Sequence, residues 1–477
     1  MRRTKIIATL GPSTESSECL EALFDAGVDA VRLNFSHGSW EDHNKQIARV
    51  RETSTRCGLN IAILGDLQGP KIRINRFRDG YVRLVAGQKF ALDSDLDPDA
   101  GDAEQVGVAY TQLSTDVTPG DVLLLDDGQI KLTVDEVAGT RINCTVVVGG
   151  TLSDKKGINR QGGGMSAAAL SEKDIDDLRK AAAANLDWIA VSFVRDADDV
   201  NRAREVLTEA GSTARIIAKI ERAEAMGNLV AIIDASDGVM VARGDLGVEM
   251  GFAGLAGMQK TIIRTARRRH KVCITATQMM ESMIHSQLPT RAEVSDVANA
   301  VMDGTDAVML SAETAVGEYP VMAVAAMAEV CIGAETYHQS ASPMSRHRMD
   351  DRFRAVDEAI AMAVMYTANH LQVQAIIALT ESGSTALWMS RIRSDIPIFA
   401  FTSHEDTRRR VALYRGVYPV SYENKHDRTG PVFREVCQIL IDLGHVEPDE
   451  LVIFTKGTRQ GVSGGTNEMR ILPVTGQ

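Results

Sequence analysis

The chain has 477 residues, a length that predicts two or three domains. Its composition, 44% hydrophobic and 24% charged, is typical of a globular protein. A formal net charge of -12 at pH 7 argues against a nucleic-acid partner or an anionic membrane surface, because either would be repelled. Any phosphate-binding site must therefore be a local basic pocket.

The six cysteines are scattered without a CxxC pair, so neither a zinc site nor a disulfide framework is predicted. The first residues, MRRTKIIATLGP, lack the apolar core of a signal peptide. No run approaches the roughly 20 apolar residues of a membrane span. We therefore expect a cytoplasmic protein without a membrane partner.

From the N-terminus onwards, short β-branched runs alternate with helical patterns, which is typical of βα units around a parallel sheet. The predicted strands are Lys5–Leu10, Ala30–Phe35, Ile61–Leu67, Asp187–Phe193, Arg215–Glu221, Gly238–Arg243, Val272–Thr277 and Ala307–Ser311. Eight such units predict an α/β fold with a (β/α)8 TIM barrel, formed by residues 1–70 and 166–337.

Between the third and fourth predicted strands lies a segment rich in Gly, Asp and Val, residues 71–165, with alternating runs such as DVLLLDDGQIKLTV. This alternation predicts an inserted, β-barrel-like all-β domain. Its glycine-rich exit, KKGINRQGGGM, predicts a hinge that lets the insert move as a lid over the barrel mouth. The alternative is a rigid appendage.

After the polar stretch HQSASPMSRHRMDDRF, further strand patterns separated by helical segments predict a C-terminal α/β domain, residues 338–477. Its predicted strands are Ala375–Thr380, Pro397–Thr402, Gly416–Val420, Leu451–Thr455 and Met469–Val474. The sequence shows no internal repeat of short period.

Polar residues close most of the predicted barrel strands, at the end where such a barrel builds its active site. In chain order they are Arg32, Asn34, Ser36, Asp66, Lys219, Glu221, Arg243, Asp245, Thr277, Ser311 and Glu313. We predict that these side chains line one site at the barrel mouth.

Two of these carboxylates predict a metal site. Lys219 and Glu221 are two residues apart on a strand, so their side chains point the same way, and Asp245 follows the next strand. Two carboxylates without matching histidines favour a hard cation such as magnesium, so Glu221 and Asp245 are the predicted ligands. The alternative is a buried ion pair of either acid with Lys219 or Arg243.

The loop ARGDLGVEM places Gly244 and Gly247 where backbone N–H groups could cradle a carboxylate or phosphate, although glycines alone are a weak signal. Phosphoryl transfer also requires counter-charge. The basic residues that could supply it are Arg32, Arg73, Lys156 and Lys219. The alternative for each isolated arginine is an ordinary surface position.

Seven strings along the chain resemble the motifs of pyruvate kinases, in the family's order and spacing: VRLNFSHG, GDLQGPKIR, AKIERAEA, VMVARGDLGVE, ITATQMMESM, PTRAEVSDVANAV and AVMLSAETA. The resemblance covers the whole chain, from TKIIATLGP through KKGIN to LTESG and TNEMR. It implies an enzyme that moves the phosphoryl group of phosphoenolpyruvate onto ADP, giving ATP and pyruvate in the final step of glycolysis.

The resemblance implies roles for the charged residues. Arg32 resembles the arginine that contacts the substrate phosphate, and Arg73 and Lys156 resemble the nucleotide-phosphate contacts. Glu221 and Asp245 match the protein ligands of Mg2+, for which Mn2+ can substitute. A second magnesium ion would arrive on the nucleotide.

For the reacting groups, Lys219 resembles the residue that stabilises the phosphoryl group in flight. The backbone of Gly244 and Asp245 would hold the substrate carboxylate. Thr277 lies where the family binds substrate and organises the proton delivered to the enolate carbon. Two positions usually assigned to that proton relay match Ser311 and Glu313.

One departure concerns the monovalent cation. Potassium-dependent members carry DTKGPEIRT where this chain has DLQGPKIRI, so a glutamate is replaced by Lys71. An ammonium there supplies covalently the positive charge that a potassium ion would bring. The resemblance is therefore to the potassium-independent branch, and the remaining equivalents of the ion site, as structural polar groups, are Asn34, Ser36, Asp66 and Leu67.

In the C-terminal domain a strand-to-helix turn predicts a binding site for a phosphorylated allosteric effector, at Thr380, Ser382, Gly383, Ser384 and Thr385. The alternative is a simple helix cap. The effector stays open, because Ser384 and the late loop TKGTRQGVSGG differ from the better-known sugar-bisphosphate pattern. The resemblance also implies a homotetramer.

Two other functions stay open at this point. A barrel lyase or aldolase acting on phosphoenolpyruvate or pyruvate would also use magnesium between two acids, but would not need Arg73 or Lys156. A non-catalytic sensor of sugar phosphates would use only the C-terminal domain.

Overall fold

The computed structural model describes residues 1–341, 353, 355–426, 428–458 and 464–474. Most of the polar stretch before the C-terminal domain, and residues 459–463 of the late loop, therefore lie outside the described residues. Among the described residues, no helix combines the length and the apolar character that crossing a bilayer requires.

The first part of the chain supplies three parallel strands and two helices: β1 (Lys5–Thr9), α1 (Ser17–Ala26), β2 (Ala30–Asn34), α2 (Trp40–Arg56) and β3 (Ala62–Asp66). Every residue of β1 and β3 is buried, as expected for strands covered on both faces. Helix α2 begins after Ser39, whose hydroxyl and backbone N–H exchange hydrogen bonds with Asp42 in a capping box.

The next segment forms sheets separate from these strands. Its elements are β4 (Tyr81–Leu84), β5 (Lys89–Asp93), β6 (Gln105–Gly107), α3 (Leu113–Asp116), β7 (Val122–Leu125), β8 (Ile130–Ala138), β9 (Arg141–Val148), β10 (Gly150–Ser153) and β11 (Ile158–Arg160). A six-stranded sheet in the order β11-β7-β8-β9-β5-β6 and a two-stranded sheet of β10 and β4 enclose a core of their own. The predicted all-β insert is confirmed.

The chain then completes the parallel sheet with β12 (Trp188–Val191), β13 (Arg215–Ile220), β14 (Gly238–Ala242), β15 (Val272–Ala276) and β16 (Ala307–Leu310). These strands close with the first three into a barrel in the order β1-β16-β15-β14-β13-β12-β3-β2. The accompanying helices are α4 (Glu172–Ala183), α5 (Ala197–Glu209), α6 (Ala223–Gly227), α7 (Leu229–Ala235), α8 (Arg243–Met250), α9 (Leu255–Arg268), α10 (Arg291–Asp303), α11 (Ala312–Ala315) and α12 (Pro320–Ala341). The predicted (β/α)8 barrel is confirmed.

The C-terminal part is a five-stranded sheet covered by helices. Its elements are α13 (Val356–His370), β17 (Ala375–Leu379), α14 (Ser384–Ser390), β18 (Ile398–Thr402), α15 (Glu405–Val411), β19 (Val417–Ser421), α16 (Thr429–Asp442), β20 (Leu451–Gly457) and β21 (Thr466–Pro473). The strand order is β19-β18-β17-β20-β21, and only the β20–β21 pair is antiparallel. The predicted α/β fold is confirmed, whereas the residue boundaries of the three domains stay predictions.

Four aspartates fasten the barrel at the amino ends of its strands. Each immediately precedes one barrel strand and accepts a hydrogen bond of 2.8–3.0 Å from a backbone N–H at the start of the preceding barrel strand. The four pairs are Asp29 with Ile6, Asp187 with Ile63, Asp237 with Ile216, and Asp306 with Cys273.

Two of these aspartates also anchor the C-terminal sheet. Arg391 Nη1 lies 2.7 Å from Asp306 Oδ2, and Arg409 Nε lies 2.8 Å from Asp187 Oδ1. All four side chains are buried. The C-terminal part is therefore held at the end of the barrel opposite its mouth.

Candidate active site

A largely buried lysine, with 14% of its side chain exposed, lies at the barrel mouth. Lys219, near the end of β13, places its Nζ 3.3 Å from Asp66 Oδ1 and 3.5 Å from Glu221 Oε2, and donates a 2.7 Å hydrogen bond to Ser192 Oγ. Burial lowers the pKa of Lys219, but the two carboxylates outweigh burial and raise it above its ordinary value. The side chain is therefore a fixed positive charge.

Arg32, from β2, supplies a second cation at the same point. Its Nε donates to Asp66 Oδ2 at 2.7 Å, and its Nη1 donates to Thr9 Oγ1 at 3.3 Å. Burial raises the pKa of Asp66, yet the nearby Lys219 and Arg32 together hold that pKa below its usual value. One buried carboxylate thus orients two cations at the barrel mouth.

The two predicted metal ligands lie beside this pair of cations. Glu221 Oε1 accepts a 2.8 Å hydrogen bond from Phe193 N, whereas Glu221 Oε2 is buried and lacks a hydrogen-bond partner among the described residues. Burial raises the pKa of Glu221, and Asp245 adds to that rise because its negative charge is close by. A carboxylate pair in which a buried oxygen accepts no hydrogen bond fits a hard cation.

The alternative of a buried ion pair is present in part. Glu221 does contact Lys219, but Arg243 turns away from both predicted ligands and pairs with Asp296 at 2.6 Å. The Arg243 guanidinium also donates to two carbonyls at the end of β15, those of Ala276 and Thr277. Its position ties two adjacent strand ends together.

Thr277 closes β15 in a left-handed backbone conformation, with φ at +68°, a conformation uncommon for a β-branched residue. Its hydroxyl accepts a 2.9 Å hydrogen bond from Gly244 N. Gly244 and Asp245 lie in the first turn of α8, where backbone N–H groups lack intrahelical acceptors. Helix α8 therefore offers donors next to the cations, although the N–H of Gly244 is already engaged.

Glu313 organises the loop ends after β15 and β16. Its Oε1 accepts from Met280 N at 3.0 Å and its Oε2 accepts from Ser311 N at 2.6 Å. Both oxygens of this buried side chain therefore hold backbone groups in place. The proton-relay roles predicted for Ser311 and Glu313 stay predictions.

The insert carries the two residues predicted to contact the nucleotide phosphates. Lys156 Nζ lies 2.7 Å from Asp126 Oδ1, and Arg73 Nη1 donates to Lys155 O at 2.8 Å. Both predicted nucleotide contacts thus lie on the insert, apart from the barrel residues.

Lys71 lies between the insert and the barrel. Its Nζ is 3.8 Å from Asp127 Oδ1 and 3.7 Å from Asp245 Oδ1. Within the described ranges, no ion pair joins Lys71 to Asp66, whose charge is offset by Arg32 and Lys219 instead. Residue 71 begins the insert, so the Lys71 ammonium lies nearer to Asp127 and Asp245 than to the end of β3.

The other equivalents of the monovalent site take part in internal hydrogen bonds. Asn34 Oδ1 accepts from Ser36 N at 3.1 Å, and the carbonyl of Leu67 accepts from Ser192 Oγ at 2.7 Å. These polar atoms support the ends of β2, β3 and β12.

Ser192 was not among the residues predicted from the sequence. It follows β12 directly and connects the Leu67 carbonyl to Lys219 Nζ. The signal was available, since Ser192 closes the fourth predicted strand in the same way that Asp66 closes the third.

The predicted effector residues lie at the carboxyl ends of the C-terminal strands, beside a cavity of about 690 Å³. Gly383, with φ at +82°, turns the chain so that its N–H donates to Thr380 Oγ1 at 2.9 Å. Thr385 is hydrogen-bonded to Thr466 at 2.6 Å, and Ser382 donates to Ser384 at 3.3 Å. Three of the five predicted residues line the cavity directly: Thr380, Ser384 and Thr385.

The fold and this site together define a class of enzyme: a (β/α)8 barrel whose mouth holds clustered cations and carboxylates under an inserted β unit. Residues 1–324 match the family model described as "Pyruvate kinase, barrel domain", and residues 358–472 match "Pyruvate kinase, alpha/beta domain". The chain belongs to the pyruvate kinase family, and its enzymatic activity is that of a pyruvate kinase.

The similarity extends over full lengths. The chain is 54% identical to pyruvate kinase II of Salmonella typhimurium, with 99% of each chain covered, and 51% identical to a pyruvate kinase of Haemophilus influenzae, also with 99% of each covered. The crystal structure of a pyruvate kinase from Cryptosporidium parvum matches with a TM-score of 0.91 at 35% identity, covering 99% of this chain and 96% of the other.

Proposed function

We propose that this enzyme acts in the cytoplasm in the last step of glycolysis, moving the phosphoryl group of phosphoenolpyruvate onto ADP to give ATP and pyruvate. The observation that carries the proposal is the largely buried Lys219 ammonium, held between Asp66 and Glu221 beside the Arg32 guanidinium. Two fixed cations at the mouth of an otherwise acidic protein suit a phosphoryl group that accumulates negative charge during transfer.

The neighbouring residues suit the rest of the substrate. Arg32 and Lys219 hold the phosphate, while the first turn of α8, at Gly244 and Asp245, supplies the backbone donors for the carboxylate. The Gly244 N–H, which donates to Thr277 Oγ1 in this structure, would exchange that bond for the carboxylate. Thr277, hydrogen-bonded to Gly244, lies beside that carboxylate position. Its hydroxyl organises the proton that reaches the enolate carbon, and Ser311 and Glu313 complete the proposed proton relay.

Glu221 and Asp245 are the proposed ligands of Mg2+, for which Mn2+ can substitute. The fit rests on the buried Glu221 Oε2, which lacks a hydrogen-bond partner among the described residues, and on the absence of histidine from the set. When bound, magnesium supplies positive charge that offsets the charge of the transferring group. Lys219 and Arg32 keep the phosphate oriented towards the nucleotide.

Arg73 and Lys156 are the proposed contacts of the nucleotide phosphates. Their place on the insert supports a lid that brings ADP down onto the barrel mouth. Lys71, which contacts Asp127 of the insert and Asp245 of the barrel, lies where the two parts meet. Closure of such a lid excludes water from the reacting groups.

The activity is proposed to be independent of potassium. Asn34, Ser36 and Leu67 use polar atoms in internal hydrogen bonds, and Asp66 is balanced by Arg32 and Lys219. Lys71 adds an ammonium at the substituted position. These contacts support a site that needs no added monovalent cation.

The test is pyruvate formation from phosphoenolpyruvate, ADP and magnesium in potassium-free buffer, repeated with potassium chloride at matched ionic strength. Equal turnover in both, with ATP stoichiometric with pyruvate, is the expected result. Turnover only with potassium would remove the proposed role of Lys71, whereas pyruvate without ATP would favour a lyase.

The variant Lys71→Glu is expected to gain at least partial dependence on potassium, because it exchanges an ammonium for a carboxylate next to Asp245. Activity is measured as a function of potassium concentration. Lys131→Glu, the same change on the insert strand β8, is the matched control. A Lys71→Glu enzyme that works equally with and without potassium would contradict the substitution argument.

We also propose that a phosphorylated effector regulates a homotetramer through the C-terminal cavity. The hydroxyl-rich turn at Thr380, Ser384 and Thr385 and the nearby Lys456 support an anionic ligand there. The helix-cap alternative fits the contacts within the turn but not the size of the cavity. Isothermal titration with sugar monophosphates and nucleoside monophosphates, repeated with Lys456→Ala, tests this site.

A further inference from the structure

The exit of the insert runs through three consecutive glycines in the left-handed backbone region, Gly162, Gly163 and Gly164, with φ between +79° and +92°. An added Cβ at Gly163 would lie 2.7 Å from the Glu224 carboxylate. This segment is therefore shaped to pass very close to the loop that follows Glu221.

Three hydrogen bonds hold this segment to the barrel. Gly162 N donates to Glu249 O at 3.0 Å, and Gly164 N donates to the Glu224 carboxylate. Arg222 Nη2 donates to Met165 O at 2.6 Å. On the barrel side, Arg222 lies in the loop after β13 that carries Glu221, Glu224 lies in the helix α6 that follows this loop, and Glu249 lies in α8, which carries Asp245.

The side chain of Glu249 joins the same elements. Its Oε2 accepts from Ala223 N at 2.9 Å, two residues beyond Glu221. Its Oε1 accepts from Asn159 Nδ2 at 3.4 Å, on β11 of the insert. Only 4% of Glu249 is exposed, so water cannot replace these bonds at low cost.

Position along α8 connects Glu249 to the proposed metal site. Asp245 and Glu249 are four residues apart and so lie on one face of the helix, one turn from each other. The Glu249 carboxylate therefore fixes the distance between the helix that carries Asp245 and the loop that carries Glu221. The same carboxylate also accepts the hydrogen bond from Asn159 on β11, the last strand of the insert.

We infer that Glu249 is a positioning residue that sets the geometry of the Glu221 and Asp245 carboxylates and couples it to the hinge of the insert. The inference rests on the proposed function of those two carboxylates as metal ligands. Closure of the insert and assembly of the metal site are then one event, because both depend on the same buried carboxylate. Groups that orient metal ligands in this way commonly change metal affinity by about 10- to 100-fold when removed.

The experiment measures Mn2+ binding to the substrate-free enzyme by electron paramagnetic resonance, together with hydrogen exchange of the peptide covering residues 158–166. Glu249→Ala is expected to weaken Mn2+ binding by about 10- to 100-fold and to speed exchange in that peptide. Glu249→Gln keeps an acceptor for Ala223 N and is expected to restore most of the affinity.

Two further variants serve as a control and as a second test. Glu335→Ala removes an equally buried glutamate that accepts backbone N–H groups far from the mouth, and is expected to leave Mn2+ affinity unchanged. Asn159→Ala breaks only the contact with the insert, so it is expected to speed hinge exchange with a smaller loss of affinity. It serves as the test if Glu249→Ala does not fold.

Wild-type Mn2+ affinity in Glu249→Ala would overturn the inference, as would faster hinge exchange without any change in Mn2+ binding. Failure of the proposed function is a separate observation. In that case Glu221→Gln would bind Mn2+ as tightly as the wild-type enzyme, the wild-type enzyme would bind no Mn2+ at all, or it would form no pyruvate.

Discussion

At the scale of single residues, the barrel mouth works by crowding charges that compensate one another. Asp66 is almost fully buried, yet two cations keep its pKa low, and its partner Lys219 has a raised pKa despite burial. Each group is charged because the others are. The loss of one member therefore changes the ionisation of the remaining ones.

Lys219→Met tests this arrangement. We expect phosphoryl transfer to fall by about 10²- to 10³-fold or more, because a fixed positive charge at the transferring group is lost. Proton exchange at the methyl group of pyruvate is expected to persist in part. Both rates are measured by coupled assay and by NMR.

The control is Lys180→Met, which removes a surface lysine paired with Asp176 on α4 and is expected to have no effect. Near-normal ATP formation by Lys219→Met would remove Lys219 from its proposed role.

Glu249 gives a prediction about pH. Burial raises its pKa from 4.5 to about 7, with Arg222 opposing and Glu224 adding to the rise. The folded protein thus holds this proton more tightly than the unfolded chain, so stability falls as pH rises from about 4.5 to 7 and then levels off. The cost of ionisation is about 3 kcal/mol.

Glu249→Gln cannot ionise, so its melting temperature is expected to rise relative to wild type between pH 5 and pH 8. Thermal unfolding of both proteins across this range checks the sign, since all other groups cancel in the difference. A constant difference would show that Glu249 does not titrate in this interval.

At the scale of elements, the sequence patterns predicted the positions of the strands but not the contacts between side chains of different strands. All eight barrel strands were predicted to within about two residues, because a buried parallel strand reads as a short apolar run. Strand β21 begins three residues before its predicted start at Met469. Polar residues such as Thr466 and Asn467 hide an edge strand from a pattern based on apolar residues.

The contacts of the site depended on more distant relations. Lys219 was predicted as a site residue, but its partner Ser192 and the pairing of Lys71 with Asp127 and Asp245 were not predicted. These neighbours come from different strands and from the insert. Their proximity is set by barrel closure and by the position of the insert, which local spacing does not encode.

Gly69 provides a test at the entry to the insert. Its φ is +66°, and an added Cβ would meet the Phe193 ring at 2.7 Å and Ser192 Cβ at 2.8 Å. Gly69→Ala is expected to destabilise the protein by about 1–3 kcal/mol and to lower kcat, because Ser192 supports Lys219.

Gly87→Ala is the matched control, since Gly87 also has a left-handed φ, +86°, but has nothing within 4 Å of an added Cβ. It is expected to show only the backbone cost, of roughly 1 kcal/mol. Urea unfolding and steady-state kinetics measure both variants. Equal effects would mean that the contact with Phe193 and Ser192 is unimportant.

At the scale of the whole molecule, the C-terminal sheet is attached to the barrel through buried ion pairs. The Arg391 guanidinium pairs with Asp306, which also accepts a hydrogen bond from the backbone N–H of Arg415 and holds the start of β15. Removing one partner of such a pair leaves a charge buried without compensation, at a cost of about 3–5 kcal/mol.

Asp306→Asn is therefore expected to lower the melting temperature and to speed hydrogen exchange in α14 and β17. Asp237→Asn is the control, because Asp237 makes the same backbone contact within the barrel but pairs with barrel arginines, Arg204 and Arg215. Hydrogen exchange by mass spectrometry distinguishes the two. Equal protection of the C-terminal sheet in both variants would contradict this account of its attachment.

The four aspartates at the amino ends of the strands divide the barrel into pairs: β1 with β2, β3 with β12, β13 with β14, and β15 with β16. The second strand of each pair follows its aspartate directly, in the similar segments VDAVRLN, LDWIAVS, SDGVMVA and TDAVML. The fold is thus a fourfold pseudo-symmetric assembly of two-strand modules, with its shared chemistry confined to one rim. The aspartates that hold the strand pairs lie at the amino ends of the strands. The carboxyl ends can therefore carry a different residue on each strand, so catalytic residues there can vary while the scaffold stays the same.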